Sequence, residues 1–231
     1  MDTAPRQEDP ADLLEKHFPL WKELTPLQQK TLSAASTLRA FPRGAHVHNG
    51  SSDCIGVLFV VRGTLRASML AENGREISLF HIEEGESCVL SASCILPLIT
   101  FDIFIDAKTD AELLVVNPTS FSSLMHASAP VDAYAYRQTA ERFSDVMWVF
   151  HQILFVSFDK RLAAYLLEEA DLSSPRTLER THENIAKDLG SAREVVSRML
   201  KYFQQEGLVA LSRGSIALLD DTRLSHLAYQ R

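Results

Sequence analysis

The sequence predicts an α+β protein in three parts: a strand-rich N-terminal domain, one long helix, and a C-terminal pair of short helices followed by a β-hairpin. Three observations predict it. Short apolar runs separated by glycine-containing turns fill most of residues 39–116. From Ala133 to Leu154, apolar residues recur in steps of three and four. The stretch Thr181–Leu208 divides at Gly190 into two amphipathic segments whose apolar spacing reads as a pair of short helices.

Residues 11–38 read as helical, with Leu13, Leu14, Phe18, Leu24, Leu27 and Leu32 as apolar positions and Pro19 and Pro26 as breaks. From Arg39 the period changes. The runs His46–His48, Gly56–Val61, Leu65–Leu70, Ile77–Ile82, Phe101–Ile105 and Leu113–Val116 are each short, and most end at a turn signal. Asn73-Gly74 is a strong two-residue hairpin turn. Such spacing predicts a β-barrel, sandwich or roll.

A long helix is expected from about Ala129. Ala133, Tyr136, Ala140, Phe143, Met147, Phe150 and Leu154 form a heptad seam, the pattern of a helix that pairs with another. The same pattern also fits a helix docked on its own β-domain. Asp159–Glu169 is a further amphipathic helix, and Asp171–Arg176 a polar turn with a proline. The expected division is therefore 1–128, 129–157 and 158–231.

Within Thr181–Leu208, Thr181 suits an N-cap, and Ile185, Ala186 and Leu189 give the first helix one apolar face. In the second, Val196, Met199, Leu200 and Phe203 form a buried stripe, with Glu194, Ser197, Arg198 and Lys201 opposite and Arg193 at its N-terminal edge. A helix buried on one face with Arg, Glu and Ser on the other suits the DNA major groove. There an arginine holds guanine O6 and N7 together and a glutamate accepts from cytosine N4. Two short apolar runs, Leu208–Leu211 and Ile216–Leu219, then flank Ser212-Arg213-Gly214-Ser215 as a small hairpin, which makes a winged helix-turn-helix.

Here the chain resembles the Crp/Fnr transcription regulators. Leu189–Arg198 matches the family's recognition-helix motif, with Glu194 and Arg198 at its two base-reading positions. Arg193 matches the extra arginine of the cyclic-AMP receptor protein, and Ser197 the serine of the fumarate–nitrate regulator's pattern. The resemblance implies a TTGA-like half-site through Ser197 or a TGTGA-like one through Arg193, with Ser191 and Lys201 on phosphate. Phe41-Pro42-Arg43-Gly44 and Leu58–Gly63 are similar to turns of the family's cyclic-nucleotide-binding β-roll. The implied architecture is that β-roll, a dimerisation helix carrying Tyr136, Ala140, Phe143, Met147, Phe150 and Leu154, and the winged helix-turn-helix. A two-fold dimer would set two recognition helices about 34 Å apart, one DNA turn.

Composition agrees with this. The chain has 231 residues and a net charge of −7. Residues 175–231 carry nine Lys/Arg against seven Asp/Glu, which leaves fourteen against twenty-three for the rest, so the acidity belongs to the N-terminal part. Phosphate attraction needs only a local basic surface. No apolar run is long enough to span a membrane and the acidic N-terminus is no secretory signal, so the expected location is the cytoplasm. Three cysteines are too few for a disulfide scaffold.

In the family's cyclic-nucleotide sites, a Gly-Glu is followed by an Arg-Ser pair that takes the phosphate. Gly85-Glu86 is present, but Phe101 and Asp102 stand where Arg-Ser belongs, and a carboxylate there repels a cyclic phosphate. Cyclic AMP is therefore not the expected ligand. No cysteine precedes Cys54, so the family's N-terminal iron–sulfur cluster is not expected either. Cys88 and Cys94 lie in the ligand-cassette position, six residues apart, and read either as a thiol switch or as buried core residues. Haem is a further candidate, with His81, His126 or His151, or a Cys thiolate, as axial ligand. His46 and His48 alternate onto one strand face but make no metal site by themselves.

The expected function is a homodimeric regulator that binds a palindromic double-stranded DNA operator, contacts RNA polymerase, and answers a small-molecule or redox effector. No nucleophile–base arrangement, phosphate-cradling loop or metal triad points to an enzyme. The alternative is a small-molecule or haem-binding sensor module whose helix-turn-helix makes protein contacts only.

Overall fold

The computed structural model describes residues 8–50, 54–71, 76–96, 102–171, 176–212 and 214–229. The Asn73-Gly74 turn, Phe101, residues 172–175 of the polar turn and Arg213 lie outside the described residues. The chain forms two compact units, 1–69 with 79–146 and 70–78 with 147–231.

The first unit opens with two short helices whose ends the sequence writes plainly. Asp9 caps α1 (Pro10–His17) through the Ala11 N–H, and Thr25 with Gln28 closes a capping box on α2 (Pro26–Ala34). Proline follows each cap, where its missing N–H costs nothing. A single 3-10 turn, Trp21–Glu23, joins them. The helical expectation for residues 11–38 fails at its end, because Ser36–Phe41 is strand β1. Its side chains suit either state, and pairing with the strand at Ala111–Val116 decides for β.

Seven more strands complete the unit: β2 (His46–Asn49), β3 (Val57–Arg62), β4 (Leu65–Leu70), β5 (Glu76–Ile82), β6 (Ser87–Cys88), β7 (Phe104–Ala107) and β8 (Ala111–Val116). They make two four-stranded sheets, β1-β8-β3-β6 and β2-β7-β4-β5. Val57, Leu58, Phe59 and Val60 are all buried, so β3 is covered on both faces. Phe18, at the end of α1, supplies part of that cover. Its ring packs edge-on to Phe59 at 5.7 Å and to Tyr134 at 5.4 Å, and lies 6.3 Å from Phe121.

A 3-10 segment, Leu90–Ile95, follows β6. After β8 come α3 (Pro118–Ala127), which the sequence analysis did not anticipate, and α4 (Ala129–Phe155), the expected long helix. The N-terminal turns of α4 bury Val131 and Ala135.

In the second unit, α5 (Phe158–Asp171), α6 (His182–Asp188), α7 (Arg193–Gln205) and α8 (Asp221–Tyr229) surround one apolar core. Beside them β10 (Val209–Ser212) and β11 (Ser215–Leu218) form the expected hairpin, and β9 (Thr177–Leu178) adds a third strand in the order β10-β11-β9. No helix among the described residues is long and apolar enough to cross a membrane.

Gly56 enters β3 at φ +119°, and a Cβ there would overlap the Val116 carbonyl oxygen. Gly85 also has positive φ, +88°, yet a Cβ would meet nothing. Gly56→Ala should therefore lower stability by about 3 kcal/mol, strain and overlap together. Gly85→Ala, with strain alone, should cost about 1 kcal/mol. Urea midpoints for the two variants check this, and equal midpoints would refute it.

Candidate nucleic-acid interface

The C-terminal unit builds its outward face from an inward one. Thr181 caps α6, accepting from the Asn184 N–H at 3.1 Å. Gly190 then takes φ +58°, which a side chain would resist, and the Ser191 N–H donates to the Ala186 carbonyl at 2.8 Å to close the turn. Behind the turn, Arg161 of α5 donates to the Leu189 carbonyl at 2.8 Å and the Tyr165 hydroxyl donates to Asp188 at 2.8 Å. Two polar groups thereby fix the end of α6 relative to α5.

Along α7, Val196, Leu200 and Phe203 are fully buried, and Met199 is partly so. Burying three such side chains is worth about 1.5–3 kcal/mol each, which fixes the helix rotation. Arg193, Glu194, Arg198 and Lys201 are left exposed, as expected from the spacing. None of these four has an ion-pair partner among the described residues. At the far end Gly207 takes φ +71°, and Arg223 of α8 donates to the Glu206 carbonyl at 2.9 Å.

Two expected DNA-facing residues are less open than the spacing suggested. Ser191 and Ser197 are half-buried. The Ser197 hydroxyl lies 2.8 Å from Nδ1 of His182, the first residue of α6, which sequence reasoning did not single out. A cleft of about 300 Å³ opens between the start of α6, the start of α7 and the hairpin, lined by Arg180, His182, Arg193, Ser212 and Ser215. Arg180 is held there by two hydrogen bonds to the Glu169 carboxylate, at 2.6 and 3.1 Å. Burial and the nearby Arg193 guanidinium hold the His182 imidazole below the usual histidine range.

In the N-terminal unit, Glu86 is already engaged. Its carboxylate accepts from Arg142 of α4 at 3.2 Å and from the Glu83 N–H at 2.9 Å. Arg142 stacks over the Phe80 ring at 4.9 Å and also reaches Asp145 at 3.2 Å. Beside it the Ser87 hydroxyl shares a hydrogen bond with Tyr134 at 2.6 Å. Nothing local in the sequence connects Arg142 to Glu86, because 56 positions separate them.

The cysteine expectation needs correction. Cys94 is exposed and forms a disulfide with Cys54, not with Cys88. Cys88 sits on β6 opposite Leu58, fully buried, and burial pushes its thiol pKa up. It is a core residue. The two side chains diverge because Cys88 is pinned in the ladder while the 3-10 segment carries Cys94 to the surface.

The histidines are also dispersed. A bulge in β2 breaks the alternation, so His46 is exposed and 2.5 Å from Asp106 while His48 is buried, and the two do not share a face. His81 meets Lys108 at 3.4 Å, His126 meets the Ser122 carbonyl at 2.7 Å, and His151 packs on Phe155. No group of three His, Cys, Asp or Glu among the described residues is arranged to hold a metal ion.

The seam of α4 stands outward. Tyr136, Ala140, Phe143, Met147, Phe150 and Leu154 are all exposed, Phe143 to 63% and Leu154 to 66%. Within the first unit, docking on the β-domain leaves Tyr136, Ala140 and Phe143 uncovered.

Comparison with known proteins agrees with the geometry. Residues 160–227 match the model of the Crp-like helix-turn-helix domain. A crystal structure from Eubacterium rectale, described as a transcriptional regulator of the Crp/Fnr family, is 45% identical and superposes with a TM-score of 0.88, covering 92% of this chain and 98% of that one. The cAMP-activated global transcriptional regulator CRP of Pasteurella multocida is 21% identical over 84% of this chain and all of its own length. The c-di-GMP responsive regulator CLP of Xanthomonas campestris shares the fold, with a TM-score of 0.67 at 21% identity over 85% of this chain and 100% of that one. The chain thus belongs to the Crp/Fnr family of transcription regulators, with a β-roll, a long helix and a Crp-like helix-turn-helix DNA-binding domain.

Proposed function

We propose that the protein is a homodimeric, sequence-specific regulator that binds a palindromic operator through α7 and is controlled by thiol chemistry in its β-roll. The observation that carries the DNA assignment is the division of α7, with Val196, Leu200 and Phe203 buried and Arg193, Glu194, Arg198 and Lys201 exposed. Arg198 and Glu194 read a G·C pair, Ser197 and Arg193 set the half-site type, and Lys201 and Ser191 contact phosphate. The working division is 1–128 for sensing, 129–157 for pairing and 158–231 for DNA, with RNA polymerase as the downstream partner.

An exposed apolar seam of six residues on one helix supports pairing with a second copy of α4. Cyclic AMP fits this roll poorly. Glu86 is already paired with Arg142, a residue of the helix, and the sequence puts Asp102 where a phosphate-binding Ser is wanted.

The Cys54–Cys94 pair supports a redox input. A regulator that works on DNA acts where thiols are normally kept reduced, and disulfides that form there are redox-sensing more often than structural. The two thiols would each lose a proton and together two electrons to an oxidised disulfide such as glutathione disulfide, which leaves as two thiols. The bond closes a loop of 40 residues, so on the chain-entropy model its reduction costs about 4 kcal/mol of stability.

Arg198→Ala should lower operator affinity by about 1–3 kcal/mol and relax preference at one base pair, read by selection from randomised duplexes. If site preference were unchanged, α7 would not be the reading helix. A palindrome bound only in one thiol state, with the response lost in Cys54→Ser and Cys94→Ser and kept in Cys88→Ser, is expected of the redox input. Equal binding in both states would remove it.

Phe143→Glu with Leu154→Glu should yield a monomer by analytical ultracentrifugation and weaken palindrome binding at least tenfold. A dimer that survives this pair of charges would place the interface elsewhere.

A further inference from the structure

The hydrogen bond between His182 and Ser197 joins the two helices of the DNA-binding unit at a residue on the reading side. Ser197 lies one turn beyond Glu194 and one turn before Lys201, and its Oγ is 2.8 Å from the imidazole Nδ1. A serine hydroxyl has one hydrogen and two acceptor positions. When the imidazole accepts that hydrogen, the oxygen offers only lone pairs outward. When the imidazole donates, the hydroxyl hydrogen is free to point outward. Base edges distinguish the two: adenine N6 and cytosine N4 are donors, whereas thymine O4 and guanine O6 and N7 are acceptors.

We propose that His182 is a specificity-positioning residue, which holds the Ser197 hydroxyl and sets the hydrogen-bond polarity that this hydroxyl presents to one base. The proposal rests on α7 being the base-reading helix. A neutral ring with its proton on Nε2 accepts at Nδ1, whereas the imidazolium donates from both nitrogens. Among the described residues, the charged groups lining the cleft at this ring are Arg180 from the strand side, Glu183 from α6 itself and Arg193 from α7. Among the described residues, the hairpin adds only the hydroxyls of Ser212 and Ser215. Burial and the Arg193 charge hold the ring below the usual histidine range, which favours the neutral form.

The test is operator selection from randomised duplexes with the full-length protein at pH 7.5, with circular dichroism on each variant. The wild type should prefer adenine or cytosine at one base position by about fivefold, the worth of one hydrogen bond. His182→Ala and Ser197→Ala should each lose that preference, the double variant should be no worse than either, and the position read by Arg198 should stay unchanged. His182→Asn, whose side-chain amide can hold the hydroxyl, should keep the preference.

A uniform loss of affinity in His182→Ala with base preference intact would overturn the proposal and leave His182 as a phosphate contact. A wild-type preference for thymine or guanine at that position would overturn the assigned polarity. Arg198→Ala separates the underlying assignment. If it relaxes its own position while His182→Ala relaxes none, the proposal alone fails; if it relaxes nothing, the reading helix is misassigned and the proposal falls with it.

Discussion

The interface depends on burial of one stripe of α7. Val196, Leu200 and Phe203 are wholly enclosed by Leu162, Leu166, Ile185, Ile216 and their neighbours, so the helix has one rotation about its axis and the opposite face has one composition. The polar groups around it serve that rotation. The Gly190 turn sets where α7 starts, Arg161 and Tyr165 fix the end of α6, and Arg223 covers the last carbonyls. An apolar contact that is not directional has been made directional by what surrounds it.

The long helix divides its circumference among several tasks. Val131 and Ala135 are buried, Tyr134 and Arg142 reach the Gly85-Glu86 turn, and the heptad positions face outward. Arg142 bonds Glu86 and Asp145 while its guanidinium covers Phe80, so one side chain neutralises the turn and shields an aromatic ring. Any molecule that seeks Glu86 competes with this arrangement. The turn is thereby bonded to the helix that carries the exposed seam.

Much of this was legible in the sequence, and what was not has physical reasons. Periodicity located α4, the two faces of α7 and the hairpin because each signal lies within one element. The start of β1 was read as helix because Ser36–Leu38 has no preference strong enough to reveal a strand whose partner is β8. The His46 and His48 pairing failed because a bulge in β2 breaks the two-residue period. Closeness in sequence draws attention to Cys88 and Cys94 together, while the fold joins Cys94 to Cys54 across 40 positions and seals Cys88 in a ladder. Glu86 was found from its motif, but Arg142 and His182 gain their meaning only from partners on other elements.

The separation of faces on α7 has an evolutionary consequence. Arg193, Glu194, Arg198 and Lys201 contribute nothing to the core, so substitutions there leave the fold intact, and on the proposed reading descendants of this chain can drift to new operators one substitution at a time. Ser197 is different. It shares its hydroxyl with His182 on another helix, so a change at either site alters the chemistry of both, and the two positions should co-vary among relatives. Lineages would then carry matched pairs there and free choice at the four neighbouring positions.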